Sequence, residues 1–358
     1  MSQIRPLVPE DLNNGQAASR ALFRSLAARV LAKIHGGPPE RFARAAWPQD
    51  RDAVALITRG AVSPLDTVAG APFLQTRITD LLLGLAPGSA AAQLFARCMR
   101  LDFGGVLQYS IPHVSTRPVP LFVGEGRPIP VSQAALASTT VGPTKKLSYI
   151  VTLTRELEAA TPESLSVILG RLLGESAAKA LDAAVFDAGA ADTTRPAGLL
   201  NGIVALTATA SGATTIDTIA ADIAAFAAAF NAAGINSANM VLILNPAQAW
   251  KLRLVVGYPD VEFLVLSSIA VPVGTAIAVI PEAIASGYEG SPEIEVSGTP
   301  TLHFDASVPA ELVTAAGTIA SPTMSTFQQD IVAIKMRTKC AWAAVQPGAV
   351  QFMTAVNW

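Results

Sequence analysis

A long polar segment between residues 120 and 157 constrains this chain more than any other feature of its sequence. It reads PLFVGEGRPIPVSQAALASTTVGPTKKLSYIVTLTREL, with neither the apolar stripe of a core helix nor the residues of a catalytic loop. Two glycines and two prolines break its apolar start: Gly124, Gly126, Pro128 and Pro130. The composition predicts an exposed two-stranded excursion, with an outgoing limb near 119–131 and a returning limb near 138–154. Such a two-stranded ribbon needs a surface to pack on, and the sequence has to indicate which surface that is.

The rest of the chain is unusually poor in charge. Charged residues make up 15% of the sequence and hydrophobic residues 51%, with a mean hydropathy of +0.43, whereas a typical soluble domain carries about 25% charged residues. Such a chain either enters a membrane or buries surface against other proteins. The uncharged stretch 263–281 is long enough to span a bilayer, but serines, prolines and a glycine divide it into two short strands around a loop. Large protein–protein contacts are therefore favoured.

The first 60 residues have the opposite charge balance, with nine Lys and Arg against five Asp and Glu. Residues 15–34 have the periodicity of an amphipathic helix. Its polar side carries four basic residues: Arg20, Arg24, Arg29 and Lys33. We predict a separable basic arm over 1–60 that meets an anion or an acidic partner. A helix face exposed to solvent is the alternative interpretation.

The second half of the chain predicts a long helix followed by a mixed domain. Thr161 is a good N-cap and Pro162 suits the first helical position, and apolar residues at helical spacing continue to about residue 187. Residues 203–320 alternate between helical and strand patterns, as in a compact α+β domain. Near the end, Ile334, Met336, Cys340 and Trp342 alternate with Lys335, Arg337, Lys339 and Ala341, which predicts a strand with one buried and one basic face. A turn at 346–348 predicts a returning strand that pairs with this one.

The sequence predicts no catalytic, cofactor-binding or metal-binding residue, and therefore no enzyme. Gly124 and Gly126 are followed by Ile129 where a dinucleotide fingerprint needs its third glycine. The segment LGESAAK has Ala178 where a nucleophile elbow needs glycine, and it lies in a helix. The three histidines and two cysteines have no ligand spacing: His35, His113, His303, Cys98 and Cys340.

Five segments in this order resemble the major capsid protein family of tailed phages, which has the Hong Kong 97-like fold. They are LFVGEGRPIPVSQ (121–133), KKLSYIVTLTREL (145–157), the helix over 162–187 followed by RPAGLLNG (195–202), LNPAQAWKLR (244–253) and the final segment 327–358. The resemblance covers roughly residues 61–358.

The resemblance implies an α+β Hong Kong 97-like capsid fold with six parts. These are a basic N-terminal helical arm (1–60), an N-arm with short helices (61–118), an extended β-hairpin loop (119–154), a peripheral domain with a long spine helix (155–202), an axial domain (203–320) and the returning strands of the peripheral domain (321–358). The hairpin would overlap a neighbouring subunit through four charged residues: Glu125, Arg127, Lys145 and Lys146. Some members join a loop lysine to an asparagine of a neighbour; here both lysines lie at the base of the loop, so no cross-link is predicted.

The implied function is a major capsid protein that self-assembles through hexamers and pentamers into an icosahedral shell. That shell would enclose the double-stranded DNA of a tailed phage, a prophage or a gene-transfer particle. The implied partners are other copies of the chain, a portal, a scaffold or decoration protein, and packaged DNA bound without sequence preference, with no membrane. The protein would reside in the virion after assembly in the bacterial cytoplasm. The alternatives are the shell protein of an encapsulin-like nanocompartment and, further off, an α/β enzyme.

Overall fold

The computed structural model of the chain describes residues 9–58, 88–116, 122–124, 131, 135–154, 162–209, 215–256, 263–289, 293–304, 312–313, 317 and 319–358. Seven helices are described: α1 (Pro9–His35), α2 (Pro39–Ala46), α3 (Arg51–Thr58), α4 (Ala90–Phe95), α5 (Pro162–Val185), α6 (Thr215–Ala232) and α7 (Pro246–Val256). The described strands are β1 (Met99–Asp102), β2 (Tyr109–Thr116), β3 (Ala135–Val141), β4 (Lys145–Thr154), β5 (Leu206–Thr207), β6 (Val241–Leu244), β7 (Leu264–Ser267), β8 (Ala276–Val279), β9 (Ile284–Tyr288), β10 (Glu293–Ser297), β11 (Thr301–His303), β12 (Thr323–Ser325), β13 (Ile331–Ala344) and β14 (Val350–Thr354).

The chain divides into two units. The first unit comprises residues 1–87, 146–177 and 290–339, and the second comprises 88–145, 178–289 and 340–358. Helix α5 and strand β13 contribute residues to both.

In the first unit, α1 to α3 and the first part of α5 enclose a core with one face of a sheet. Buried leucines recur every four residues along α5, at Leu165, Leu169 and Leu173, so they form one stripe. This stripe packs in one cluster with Leu26 of α1 and Trp47. The N-terminal helices are therefore integrated in this core, which differs from the separable arm predicted for 1–60. The apolar side of α1 needs cover, and the leucine stripe of α5 supplies it.

The sheet of the first unit follows the alternation predicted at the end of the chain. Along β13, Ile334 and Met336 are buried, while Lys335 and Arg337 lie on the other face. Strand β10 pairs antiparallel with β13, and its Glu295 and Glu293 lie opposite Lys335 and Arg337, with which they form ion pairs. Lys335 and Arg337 on the basic face of β13 are thus paired with carboxylates of the same subunit.

The second unit contains a five-stranded sheet in the order β5–β14–β8–β6–β7. Strands β6 and β7 are parallel, and β8 runs antiparallel to both β6 and β14. Helices α6 and α7 contribute to one core on this sheet, as expected when right-handed crossovers place both helices on the same face. Its core includes Phe226 and Phe230 of α6, Leu252 of α7 and Trp358.

The predicted pairing of the last two strands is wrong. Strand β14 pairs with β8 and β5, whereas the end of β13 pairs with β9, with Cys340 opposite Tyr288. Period-two patterning indicates that a segment is a strand but does not choose its partner. Here Val350 and Met353 are buried beside the fully apolar strand β8, so the last strand joins the α/β layer instead.

The ribbon forms between β2 and β3, which pair antiparallel from Tyr109 opposite Val141 to Val114 opposite Leu136. Its outgoing strand thus lies upstream of the predicted limb 119–131, of which only 122–124 and 131 lie within the described residues. The predicted returning limb is divided at Gly142, which has a φ of 112° and where a Cβ would lie 2.9 Å from the Leu107 carbonyl oxygen. Only glycine suits this position. Among the described residues, no helix combines the length and the hydropathy that a bilayer span requires.

Candidate assembly surfaces

The β2–β3 ribbon is attached to its own unit by one face. Tyr109 and Ile111 of β2 pack against a small core that includes Phe103 and Val345. The ring centroids of Phe103 and Tyr109 lie 5.1 Å apart, edge to face, and the Thr139 hydroxyl donates to the Val345 carbonyl at 2.9 Å. The base of the ribbon is therefore fixed, and so is the direction in which it leaves the subunit.

The other face of the ribbon carries an uncovered apolar pair. Val114 lies directly opposite Leu136, and the two side chains are 40% and 74% exposed. Phe122 and Val131, between the two strands in sequence, are also exposed. A two-stranded sheet with no cover on its apolar side is only marginally stable in water. The face formed by Val114 and Leu136, called here the ribbon patch, is therefore suited to contact another molecule.

The lysines predicted at the base of the loop lie at the start of β4. The Lys145 ammonium group donates to the Thr193 carbonyl at 3.1 Å, and the Lys146 side chain is exposed. Glu125 and Arg127 lie outside the described residues. The structure thus gives Lys145 a partner within its own chain, and the inter-subunit role of these four residues stays a prediction.

The segment RPAGLLNG forms a rigid turn after α5. Arg195 donates to both carboxylate oxygens of Asp187, at 2.7 and 3.0 Å. Partial burial of Asp187 opposes ionisation, but the hydrogen bonds from Arg195 and from the Gly189 N–H outweigh it and hold its pKa below the usual range. At Gly198 a Cβ would lie 2.1 Å from the Asp187 carbonyl oxygen, so the turn closes only around glycine.

A buried carboxylate of α5 joins three segments of the second unit. Asp182 is 5% exposed and accepts hydrogen bonds from the Ser89 hydroxyl at 2.5 Å and the Ser268 hydroxyl at 2.6 Å. It also accepts from the N–H groups of Ala90 and Ala91 at 3.2 and 3.0 Å, at the beginning of α4. The carboxylate thus fixes α4, α5 and the loop after β7 relative to one another.

Two of the four basic residues predicted to face DNA or a neighbour are bound inside the first unit. Arg24 donates to Asp50 at 3.0 Å and to Glu163 at 3.2 Å, and its guanidinium lies 5.7 Å from the ring centroid of Trp47. Arg29 donates to the carbonyls of Ile294 and Leu56 at 3.0 and 3.2 Å. The other two, Arg20 and Lys33, are exposed. Helical spacing alone could not separate these pairs, because the acceptors come from distant parts of the chain.

The contacts of Glu163 predict a pH-dependent stability of the first unit. The Trp47 indole and then Arg24 donate to its carboxylate, which lowers its pKa. A carboxyl group with a lowered folded pKa stabilises the fold above its unfolded pKa, about 4.3, and loses this effect as the pH falls through the folded value. We expect Glu163→Gln to lower the melting temperature at pH 7 and to differ progressively less from the wild type below about pH 4. Thermal melts across pH measure this.

The matched control for that variant is Glu175→Gln on the same helix. Within the described residues, Glu175 is exposed and pairs with Arg171 at the surface, where ion pairs contribute about 0–1 kcal/mol. This control should melt close to the wild type at neutral pH. A Glu163→Gln difference that stayed constant between pH 7 and pH 3 would contradict the role given to the carboxylate.

The described part of the chain shows few side chains arranged for metal binding or nucleophilic catalysis. No three His, Cys, Asp or Glu side chains converge there as a metal site would require. Burial raises the pKa of Cys98 and of Cys340 to about 12, which keeps both thiols protonated and unreactive. Ser176 lies exposed on α5. Two residues with important contacts or exposure were missed from sequence: Leu136, which lies between alanines in β3, and Asp182, which lies between Leu181 and Ala183 on α5.

Two solved structures share this fold. A chain of Mycobacterium phage Bobi superposes with a TM-score of 0.52 at 18% identity, and a chain of Mycobacterium phage Cain with a TM-score of 0.51 at 16% identity. Each alignment covers 75% of this chain and 90% of the phage chain. The fold is therefore the Hong Kong 97-like fold of tailed-phage capsid proteins.

Sequence comparison gives the same class. Residues 88–260 match the model of the Phage capsid family. A capsid polyprotein of Pseudomonas phage PAJU2 is 26% identical over 257 residues, which covers 66% of this chain. The match spans 37% of the length of that polyprotein. The matched segment, residues 88–260, therefore resembles the Phage capsid family, in agreement with the fold.

Proposed function

We propose that this chain is a major capsid protein whose copies assemble through hexamers and pentamers into an icosahedral shell around double-stranded DNA. The observation that carries the proposal is the ribbon patch. One face of the ribbon is packed on Phe103 and Val345, while the pair Val114 and Leu136 stays exposed among the residues that the structure describes. A shell supplies that cover, because every subunit then has a neighbour in the same relative position.

The charge pattern supports the same proposal. With only 15% charged residues, the chain has much surface that suits burial between copies. The exposed Arg20 and Lys33 offer contacts to phosphates without sequence preference. In this proposal the extended loop includes the ribbon and so begins at β2, before the predicted start at residue 119. Helix α5 is the spine of the peripheral domain, and the α/β layer of the second unit belongs to the axial domain.

The proposed partners are other copies of the chain, a portal, and a scaffold or decoration protein. Assembly takes place in the bacterial cytoplasm, and the product is the virion. The chain acts as a structural subunit rather than as an enzyme, and its copies associate without a covalent cross-link.

Electron microscopy and centrifugation of the purified full-length chain test the proposal. We expect capsomer rings or closed shells of uniform diameter, and nuclease-protected double-stranded DNA in particles taken from the producing bacterium. Monomers or small discrete oligomers under all assembly conditions would overturn the proposal. Particles that hold a protein cargo instead of nucleic acid would replace it with a nanocompartment.

A further inference from the structure

Beyond Asp217 in its first turn, the solvent face of α6 lacks the charges that such a face normally carries. The helix buries Ile219, Phe226 and Phe230 on its inner side. Its outer side consists mostly of alanines: Ala220, Ala221, Ala224, Ala228 and Ala232. Between residues 218 and 232 the one charged residue is Asp222, which is buried and accepts from the Trp358 indole N–H. A flat, uncharged helix face is unfavourable towards water, and we call it the α6 alanine face.

The solvent face of α7 has the opposite shape. Trp250 and Leu254, one turn apart, are 63% and 79% exposed. The guanidinium of Arg253 lies 5.5 Å from the centroid of the Trp250 ring, which holds the ring in place. Lys251 donates to the Asn357 carbonyl at 3.1 Å, so the helix is also tethered. Trp250 and Leu254 form a preorganised protrusion, called here the α7 knob, and exposed tryptophans of this kind often dominate interfaces.

The two faces are complementary in size and in charge. The knob presents large apolar side chains, and the alanine face presents methyl groups that allow a helix to approach closely. Asp217 lies on the same side of α6 as Ala221, and Lys251 lies beside Leu254 on α7. The acidic end of one face can therefore meet the basic flank of the other.

The faces cannot meet within one chain. Both helices pack on the same sheet and share one core, so their solvent faces both point away from it. They can meet only between two copies. Because the two surfaces differ, the contact is heterologous, and repeated contacts of this kind close into a ring or continue as a filament.

We propose that the α7 knob of one copy packs on the α6 alanine face of the next copy and so links subunits head to tail. The occupant of each face is a second copy of this chain. This inference rests on the proposed shell function and specifies which surfaces join neighbouring subunits within a capsomer. Helices with small residues at their contact pack with axes about 8 Å apart, which brings positions 224 and 254 of successive copies within reach of a disulfide.

Engineered cysteines test the head-to-tail contact. The double variant Ala224→Cys with Leu254→Cys is treated with a mild oxidant and run on a non-reducing denaturing gel. We expect most of the monomer band to move into a ladder of dimers, trimers and higher multiples. Each single variant should remain monomeric on the gel, because one cysteine then meets no partner. The native Cys98 and Cys340 are buried and should not react.

Two further double-cysteine variants complete the design: a second pair at the proposed contact and a control pair with one cysteine outside it. Ala228→Cys with Trp250→Cys samples the same contact in another register, so that a poor disulfide geometry in the first pair does not decide the result. Ala183→Cys with Leu254→Cys places one cysteine at an exposed position of α5, outside both faces, and should give no ladder. Circular dichroism checks that each variant is folded.

The other outcomes separate this inference from the proposed function. Dimers from a single-cysteine variant would mean that one face meets itself, which overturns the head-to-tail contact. Shells or capsomers without a ladder from either pair would also overturn it while leaving the capsid function intact. If the wild-type chain forms neither particles nor rings, the proposed function fails first.

Discussion

Replacing Leu136 by aspartate is expected to abolish shell assembly while leaving the subunit folded. The side chain is 74% exposed on the ribbon patch, so a carboxylate there meets water in the isolated subunit. In the assembled shell the same carboxylate would be buried without a partner, at a cost of about 3 kcal/mol per contact. This lowers each association constant about a hundredfold. Analytical ultracentrifugation and electron microscopy of wild type and variant measure the effect.

Ala137→Asp is the control for that experiment. Ala137 is the next residue of the same strand, it is also exposed, and it lies opposite His113 on the other face of the ribbon. The change adds the same charge to the neighbouring residue but on the opposite face of the ribbon. It therefore separates an effect of the ribbon patch from an effect of the added charge. We expect this variant to assemble. Normal shells from Leu136→Asp, or equal loss with Ala137→Asp, would refute the role of the ribbon patch.

Replacing Asp182 by alanine is expected to lower the free energy of unfolding of the second unit by about 3–5 kcal/mol. The carboxylate accepts from two hydroxyls and two backbone N–H groups. Removing it leaves these donors buried without an acceptor, and each such group costs about 1–3 kcal/mol. Denaturant unfolding followed by tryptophan fluorescence gives the number.

Asp192→Asn is the matched control for Asp182→Ala. Asp192 also accepts backbone N–H groups, from Thr194 and Arg195, but it is exposed to solvent. Its amide analogue keeps an acceptor oxygen, so the loss should stay below about 1 kcal/mol. If Asp182→Ala unfolded at the wild-type denaturant midpoint, the buried carboxylate would not hold its segments together as described.

Features that depend on local pattern were predictable from sequence. The helix that begins at Pro162 follows from proline at the first helical position and from leucines at four-residue spacing, and the structure ends it at Val185, close to the predicted 187. The strand from Ile331 follows from the alternation of buried and partly exposed residues between Ile334 and Cys340. In both cases the preference is set by residues within one or two turns or one strand, so no distant partner is needed.

Features that depend on distant partners were not predictable. Strand β14 could pair with any apolar strand, and its choice of β8 is set by the α/β layer. Arg24 and Arg20 look alike in sequence, yet among the described contacts it is Arg24 that forms ion pairs with Asp50 and Glu163, while Arg20 is exposed. The outgoing strand of the ribbon was also placed too late, because Pro112 disfavours a central strand. The two-stranded ribbon tolerates it, since each of its strands has a partner on one side only.

The division of the ribbon into two faces has a consequence for how such sequences drift. Changes at Ile111 can be compensated within the same subunit, at positions that the fold already brings close. If the ribbon patch contacts a neighbour as proposed, changes at Leu136 are compensated on another copy, although both copies are translated from one gene. Correlated substitutions in an alignment of homologues would therefore include pairs that are distant within a chain and adjacent only between chains. Interpreted as distances inside one molecule, those pairs would fold the ribbon back onto its own subunit; assigned across copies, they would map the contacts of the lattice.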